Sequence, residues 1–267
     1  MSEWLIANGN TLRASAFIGL LILLAISEYY KPKRPLTRSK WQRWSNNLAV
    51  VFINNLVLKL FVPFVAIDAA IFVEQQQWGL LSLTSLNSAV IIVTSVMLLD
   101  AAIYFQHKIF HQIPMLWRLH RMHHSDLDID VTTAIRFHPI EIILSMFIKV
   151  AVIIAFGVPV VAVVLFELLL NLTAMFNHSN IRLPDKIDRF IRTILVTPDM
   201  HRIHHSTDSH ETNHNFGFCL PWWDRLFGSY QAQPKLGHQK MEIGLPYFRD
   251  SKECKIQHML TQPFRNK

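Results

Sequence analysis

The chain has 267 residues, 51% of them apolar and only 17% charged, with a formal net charge of +7 and a positive mean hydropathy. Soluble domains carry about 25% charged residues; here the deficit comes from long uncharged runs in the first two thirds, which argues against an ordinary soluble globule and for a membrane protein. Lys and Arg crowd the loops between those runs, so the charge reads as membrane topology rather than nucleic-acid binding, and two cysteines without a CxxC support no thiolate zinc site, disulfide framework or iron–sulfur cluster.

No Gly/Ser-rich or Pro-rich linker divides the chain, so residues 1–267 read as a single membrane-embedded domain. The first predicted span is 14–30; the segment before it is not basic and no small-residue cleavage site follows, which argues against a signal peptide. Residues 31–43, "KPKRPLTRSKWQR", hold six basic residues and no acid, which places this loop on the cytoplasmic side. The second predicted span, 47–73, contains Lys59 and Asp68, which must snorkel or face other helices. Residues 74–86 lack Lys and Arg and suit the opposite side. A third span, 87–106, returns to the cytoplasm. A hairpin follows, with arms 140–156 and 160–176 around "GVP" at 157–159. Its arms are near the minimum of about 17 residues for a span, so full spans and a re-entrant pair both fit. The remainder, 107–139 and 177–267, forms a cytosolic cap. The predicted fold class is therefore all-α: an integral membrane helical bundle with a cytosolic histidine-box metal-binding cap.

The stretch "HRMHHS" at 120–125 returns as "HRIHHS" at 201–206, and "HKIFH" occupies 107–111. On a helix each residue advances about 100°, so the HxxxH spacing puts His107 and His111 on one face. The HxxHH spacing confines three imidazoles to an arc of about 100° while separating the adjacent pair, His123 and His124, enough to address two metal ions. The topology brings all three boxes to one membrane face. A histidine-rich loop touching lipid headgroups would not need this spacing, and bis-histidine haem ligation would leave most of these residues unused. A structural zinc site closes with four ligands, and the HExxH zinc-protease signature is absent. A pair of irons is the favoured occupant, from among the metals that suit imidazole. The alternative is a non-catalytic metal-binding membrane protein or a metal transporter, for which ligands near the bilayer midplane are expected. No G-x-G-x-x-G follows a strand, so there is no sign of a built-in nicotinamide or flavin domain.

The stretches "DAAIYFQHKIFH" (100–111), "LWRLHRMHHS" (116–125), "RFHPIE" (136–141), "FNHSN" (176–180), "TPDMHRIHHS" (197–206) and "NFGFCLPWWDRLFGSY" (215–230) resemble the fatty acid hydroxylase and sterol desaturase superfamily of membrane di-iron oxygenases, over roughly residues 95–230. The resemblance implies metal ligation by His107, His111, His120, His123, His124, His201, His204 and His205, with His178 as a further ligand. It implies two iron ions and an O2-dependent oxidoreductase that hydroxylates or desaturates a C–H bond of a sterol, fatty acyl or related lipid. It also implies an external electron donor: a ferredoxin, cytochrome or reductase. No catalytic residue separate from the metal centre is expected.

His214 stands where the family often has Tyr, and it is read with His210 as a residue outside the ligand set. Asp100, two turns before His107, and Glu141, just inside a predicted span, are candidate acceptors for ring N–H groups of the ligands. "WWDRLFG" (222–228) reads as a packed cap or interfacial anchor. Arg118, Arg121, Arg189, Arg192 and Arg202 are candidates for steering an acidic donor; satisfying membrane topology explains them equally well.

Overall fold

The computed structural model describes residues 2–62 and 64–266. Its principal helices are α1 (Ser2–Tyr30), α2 (Lys40–Phe61), α3 (Ala66–Gln76), α4 (Ser88–Gln112), α5 (Pro114–His124), α6 (Pro139–Phe156), α7 (Val160–His178), α8 (Asp185–Ile191) and α9 (Pro198–His204). Among the described residues there is no strand, only the isolated bridges Pro32–Ile181 and Ser206–Ile243. Residues Ala7–Tyr30 of α1 and the whole of α4, α6 and α7 are long and apolar enough to cross a membrane. Their outward faces carry the expected surface. Ile18, Ile22, Leu23 and Ile26 on α1, with Phe52 and Leu60 on α2, are each more than half exposed, a distribution suited to lipid rather than water.

The helix starts follow local chemistry. Asn87 caps α4 by accepting from the Val90 amide at 3.0 Å. His138 caps α6 by accepting from the Ile140 amide at 3.2 Å, and Thr197 caps α9 by accepting from Met200 at 3.3 Å. The latter two are each followed by proline at the first helical position, whose missing N–H has no helical partner there anyway.

The predicted span 47–73 is not one helix. It breaks between α2 and α3, which bend by 40° or more and together form one candidate crossing. Pro63, within the predicted span, lies outside the described residues. Asp68 is not a mid-span charge: its carboxylate accepts from the Val65 amide at 3.0 Å, capping the first turn of α3. Lys59, in the last turn of α2, sits beside the same break.

The hairpin α6–α7 extends to the end of the bundle remote from the histidines. Its turn lies against the connection after α3: Glu74 accepts from the Val160 amide at 3.0 Å. Gly79 and Gly157 both have positive φ, 103° and 70°, and a Cβ on Gly79 would fall 2.1 Å from the Gly157 nitrogen. Gly79→Ala should therefore destabilise the protein by at least about 1–3 kcal/mol from backbone strain alone, read as a lower thermal midpoint in detergent. An unchanged midpoint would contradict this packing.

Helix α7 is the centre of the bundle; Val160, Ala162, Val163, Val164, Phe166 and Met175 are essentially inaccessible. Arg13 of α1 and Lys149 of α6, the latter at 3.1 Å, both pair with Glu167 of α7, so these charges inside the helical layer are paired rather than isolated, as an apolar setting favours. On the histidine side, Glu28 of α1 accepts from the amides of Val131 and Asn180, each at 2.8 Å. It ties the loop after α5 to the exit of α7. The basic loop 31–43 is docked there too: Lys33 pairs with Asp199 at 2.6 Å.

Arg43 is fully buried between Asp126 and Asp130. Burial favours the neutral form of Asp126, but the adjacent Arg43 guanidinium holds its carboxyl below the usual range. Asp128 completes the arrangement by accepting from the amides of Thr37 and Arg38 at 2.9 and 2.8 Å. Sequence reading found the cations and missed this Asp-x-Asp-x-Asp partner at 126–130.

Candidate metal centre

The histidine positions follow from how the ends of four helices meet. Helix α4 delivers His107 and His111 in its last turns. Helix α5 delivers His120, His123 and His124, α7 ends on His178, and α9 carries His201 and His204 with His205 just after. The nine imidazoles form two groups: His107, His111, His120, His124 and His204 in one, His123, His178, His201 and His205 in the other. Within each group one nitrogen per ring lies within 4.8 Å of the rest. Each HxxHH box is shared between them. Its i, i+4 pair stays in one group while the remaining histidine turns to the other, so His123 and His124 part company. The groups abut, with His124 stacked on His205 at 4.5 Å between ring centroids.

Backbone and carboxylate acceptors set the tautomers. His107 donates from Nδ1 to the Phe216 carbonyl at 2.7 Å, His204 to the His214 carbonyl at 2.8 Å and His178 to the Ala174 carbonyl at 2.7 Å. His120 Nδ1 donates to Glu141 at 2.6 Å. A nitrogen that donates to a carbonyl leaves the other bare. The bare Nε2 atoms of His107 and His204 then face each other at 2.9 Å. That of His178 lies 3.1 Å from His123 Nε2 and 3.0 Å from His201 Nε2. Lone pairs directed at one another in a buried site repel unless a cation lies between them.

Both nitrogens of His124 and His205, and Nε2 of His111 and His120, are buried without a hydrogen-bond partner, an arrangement that needs an explanation such as a metal ion. Burial, joined by neighbouring imidazoles, also pushes His123, His124, His201, His204 and His205 well below the usual imidazole range. They are neutral, as metal ligands must be. The donor set fits two metal ions, and all-nitrogen coordination suits iron, zinc, copper or nickel.

Glu141 lies where the sequence reading expected a ring N–H acceptor. Asp100 does not reach an imidazole through any of its hydrogen bonds. Seven residues separate it from His107, about 10.5 Å along the helix axis, and other donors fill the gap. It accepts from the amides of Cys219 and Leu220 at 3.3 and 3.2 Å and from Trp223 Nε1 at 2.8 Å. The segment 215–223 thus threads between α4 and α7, where Asn177 donates to the Phe218 carbonyl at 3.0 Å.

Asp224, which sequence reading passed over, accepts from the amides of Phe216 and Gly217, both at 2.8 Å, and so positions the carbonyl that holds His107. Burial raises its pKa to about 6. Asp100→Ala should leave three donors without their acceptor, one of them buried and two half-buried, at about 1–3 kcal/mol for the buried one and less for the others. The expected outcome is a large fall in thermal midpoint together with loss of bound metal, while Trp223→Phe, removing one donor, does less. Equal effects of the two would contradict the anchoring role.

His210 and His214 stack on one another and belong to neither group. The proposed steering cations are mostly engaged internally. Arg121 donates to the carbonyls of Gln262 and Arg265, and Arg118 to those of Pro263 and Arg265. Arg192 pairs with Asp188 and Arg202 with Asp199. Of the five, only Arg189 is exposed. The steering argument therefore fails for Arg192 and Arg202, whose charge is matched by a carboxylate, while Arg118 and Arg121 are held by neutral carbonyls.

Residues 92–229, just over half the chain, match the family model described as Fatty acid hydroxylase. The chain belongs to the fatty acid hydroxylase family. Among curated relatives it is 27% identical over 144 residues to an ornithine lipid hydroxylase of Rhizobium tropici, covering 54% of this chain and 43% of the relative. It is 28% identical over 156 residues to the human alkylglycerol monooxygenase, covering 55% and 31%, and 30% identical over 131 residues to that of Xenopus tropicalis, covering 49% and 28%. The matches thus span less than half the length of these relatives. No solved structure matches the chain.

Proposed function

We propose that this family member is an iron-dependent, dioxygen-using membrane monooxygenase that hydroxylates a C–H bond of a polar-headed lipid drawn from the bilayer. The observation that carries the reading is the pair of buried all-histidine groups with converging bare nitrogens. Two irons held there would supply the oxidising chemistry for dioxygen that protein side chains lack.

The chain's own residues do the rest. The Phe216, His214 and Ala174 carbonyls and Glu141 fix ring orientation, which keeps the bare nitrogens aimed inward. Aromatic rings wall the groups and keep bulk water out: Phe137 stacks on His123 at 4.4 Å, and Phe216 and Phe218 lie against His107 at 5.6 and 5.1 Å. Access is from the His111 side. His111 is half-buried while the other eight are buried, and it lines a cavity of about 450 Å³ with Lys108, Gln112 and Phe227. Its polar rim suits a substrate with a polar head, and the relatives named as acting on ornithine lipid and alkylglycerol point the same way.

Hydroxylation is favoured over desaturation because both relatives' names describe oxygen insertion. A separate protein supplies the electrons. The histidine end faces the cytoplasm, since the six-cation loop 31–43 packs against it. Residues 1–267 act as one domain, because α1 and the basic loop are tied to the cap by Glu28, Lys33 and Arg43. Lipid mass spectrometry of cells with and without the protein, under isotopically labelled dioxygen, tests the activity. A lipid gaining one labelled oxygen is expected; loss of two hydrogens instead would replace hydroxylation by desaturation, and an unchanged lipid profile would count against the enzyme.

A further inference from the structure

Where α1 ends, the chain turns through Lys31, Pro32 and Lys33 alongside residues 180–182. The antiparallel bridge Pro32–Ile181 is closed by backbone hydrogen bonds from Arg182 to Lys31, 3.0 Å, and from Lys33 to Asn180, 2.7 Å. This pins Lys31 close to Arg182. Both side chains are exposed, and neither has an ion-pair partner among the described residues. Fixing two like charges together on rigid backbone is unfavourable unless an anion shares them. They line a cavity of about 590 Å³ together with Lys33, His238 and Asp185.

Lys33 is already matched by Asp199 at 2.6 Å, so Asp185 is the one lining acid set against Lys31 and Arg182. His238 adds a second observation. Its side chain is only 11% exposed; Nε2 lies 3.8 Å from the Asp199 carboxylate, beyond hydrogen-bond reach, and neither ring nitrogen has a hydrogen-bond partner, so the ring keeps a donor for an oxygen in the cavity.

We infer that this cavity binds the phosphate of an anionic membrane-lipid headgroup, with Lys31 and Arg182 as its counter-ions and His238 as a hydrogen-bond donor. A lipid fits better than a soluble phosphate because of where the cavity sits. Lys31 directly follows Tyr30, the last residue of a candidate membrane span. The neighbouring Tyr29 and Tyr30 are about three-quarters exposed, and Phe190 of α8, just beyond the lining residues 182–185, is 70% exposed. Aromatic side chains at a span end mark the headgroup level, and basic pockets beside spans at that level take anionic headgroups. The inference does not depend on the metal or on the reaction.

The test is native mass spectrometry of the full chain in detergent, titrated with phosphatidylglycerol, with phosphatidylcholine and with inorganic phosphate. Retention of phosphatidylglycerol but not phosphatidylcholine is expected. K31Q/R182Q should bind phosphatidylglycerol about thirtyfold more weakly, and R182Q alone about fivefold, as expected for removing two or one interfacial cations. The single variant carries the test if the double does not fold. Equal retention of the two lipids, or undiminished binding by the variants, would overturn the site. Displacement of the lipid by inorganic phosphate at the same concentration would overturn its assignment to a lipid.

Discussion

His178→Ala is expected to leave about one metal ion per chain and to abolish turnover. His178 stands alone in sequence, outside the three boxes, but it is the hub of the four-histidine group: its Nε2 meets those of both His123 and His201. Three imidazoles would remain there, against five in the neighbouring group, so the second ion should stay. Removing a partner that merely orients a ligand costs about 10–100-fold, and losing a ligand from the smaller group should exceed that. His210→Ala, which touches neither group, should change neither metal content nor rate. Elemental analysis of the purified variants, alongside lipid product formation, reads both quantities. Two ions retained by His178→Ala would show that His178 is not a required ligand.

Arg43→Leu should produce the largest loss of stability of any substitution outside the ligand set. The guanidinium donates to Asp126 through Nε and Nη2, both at 2.8 Å, and also to Asp130. All three side chains are at most 1% exposed. Removing one member of a buried ion pair costs about 3–5 kcal/mol because the remaining charge is left uncompensated, and here two carboxylates are left. The loop they belong to follows directly on His123 and His124, so metal retention should fall with stability. Arg43→Leu combined with Asp126→Asn and Asp130→Asn should recover part of the lost thermal midpoint. A midpoint unchanged in Arg43→Leu would mean that the carboxylates find other partners and the network is not structural.

The convergence of the histidines was legible because it follows from two periodicities: helical spacing within each box, and spans that return each box to the same face. The splitting of each box between two groups is the same argument carried one residue further. Ring orientation was not legible, because three of the four acceptors that set it are backbone carbonyls of Phe216, His214 and Ala174, and no residue type announces them. Asp100 was expected to accept from a ligand imidazole; its partners instead lie about 120 positions away at 219–223, which helix geometry alone does not reveal.

The basic residues misled for a related reason. A topology signal and a structural ion pair look identical in composition, and Arg43, Arg121 and Arg202 proved to be interior groups. The break in the second predicted span went unread because hydropathy averages across it; the capping role of Asp68 appears only once the chain is seen to restart there.

The central claim is that nine imidazoles, gathered from four helix ends, bind two irons. X-ray absorption at the iron edge on chain reconstituted anaerobically with ferrous ion tests it most directly. The account predicts two irons per chain, each with a first shell dominated by imidazole nitrogen. A single iron per chain, or a first shell dominated by carboxylate oxygen, would contradict it.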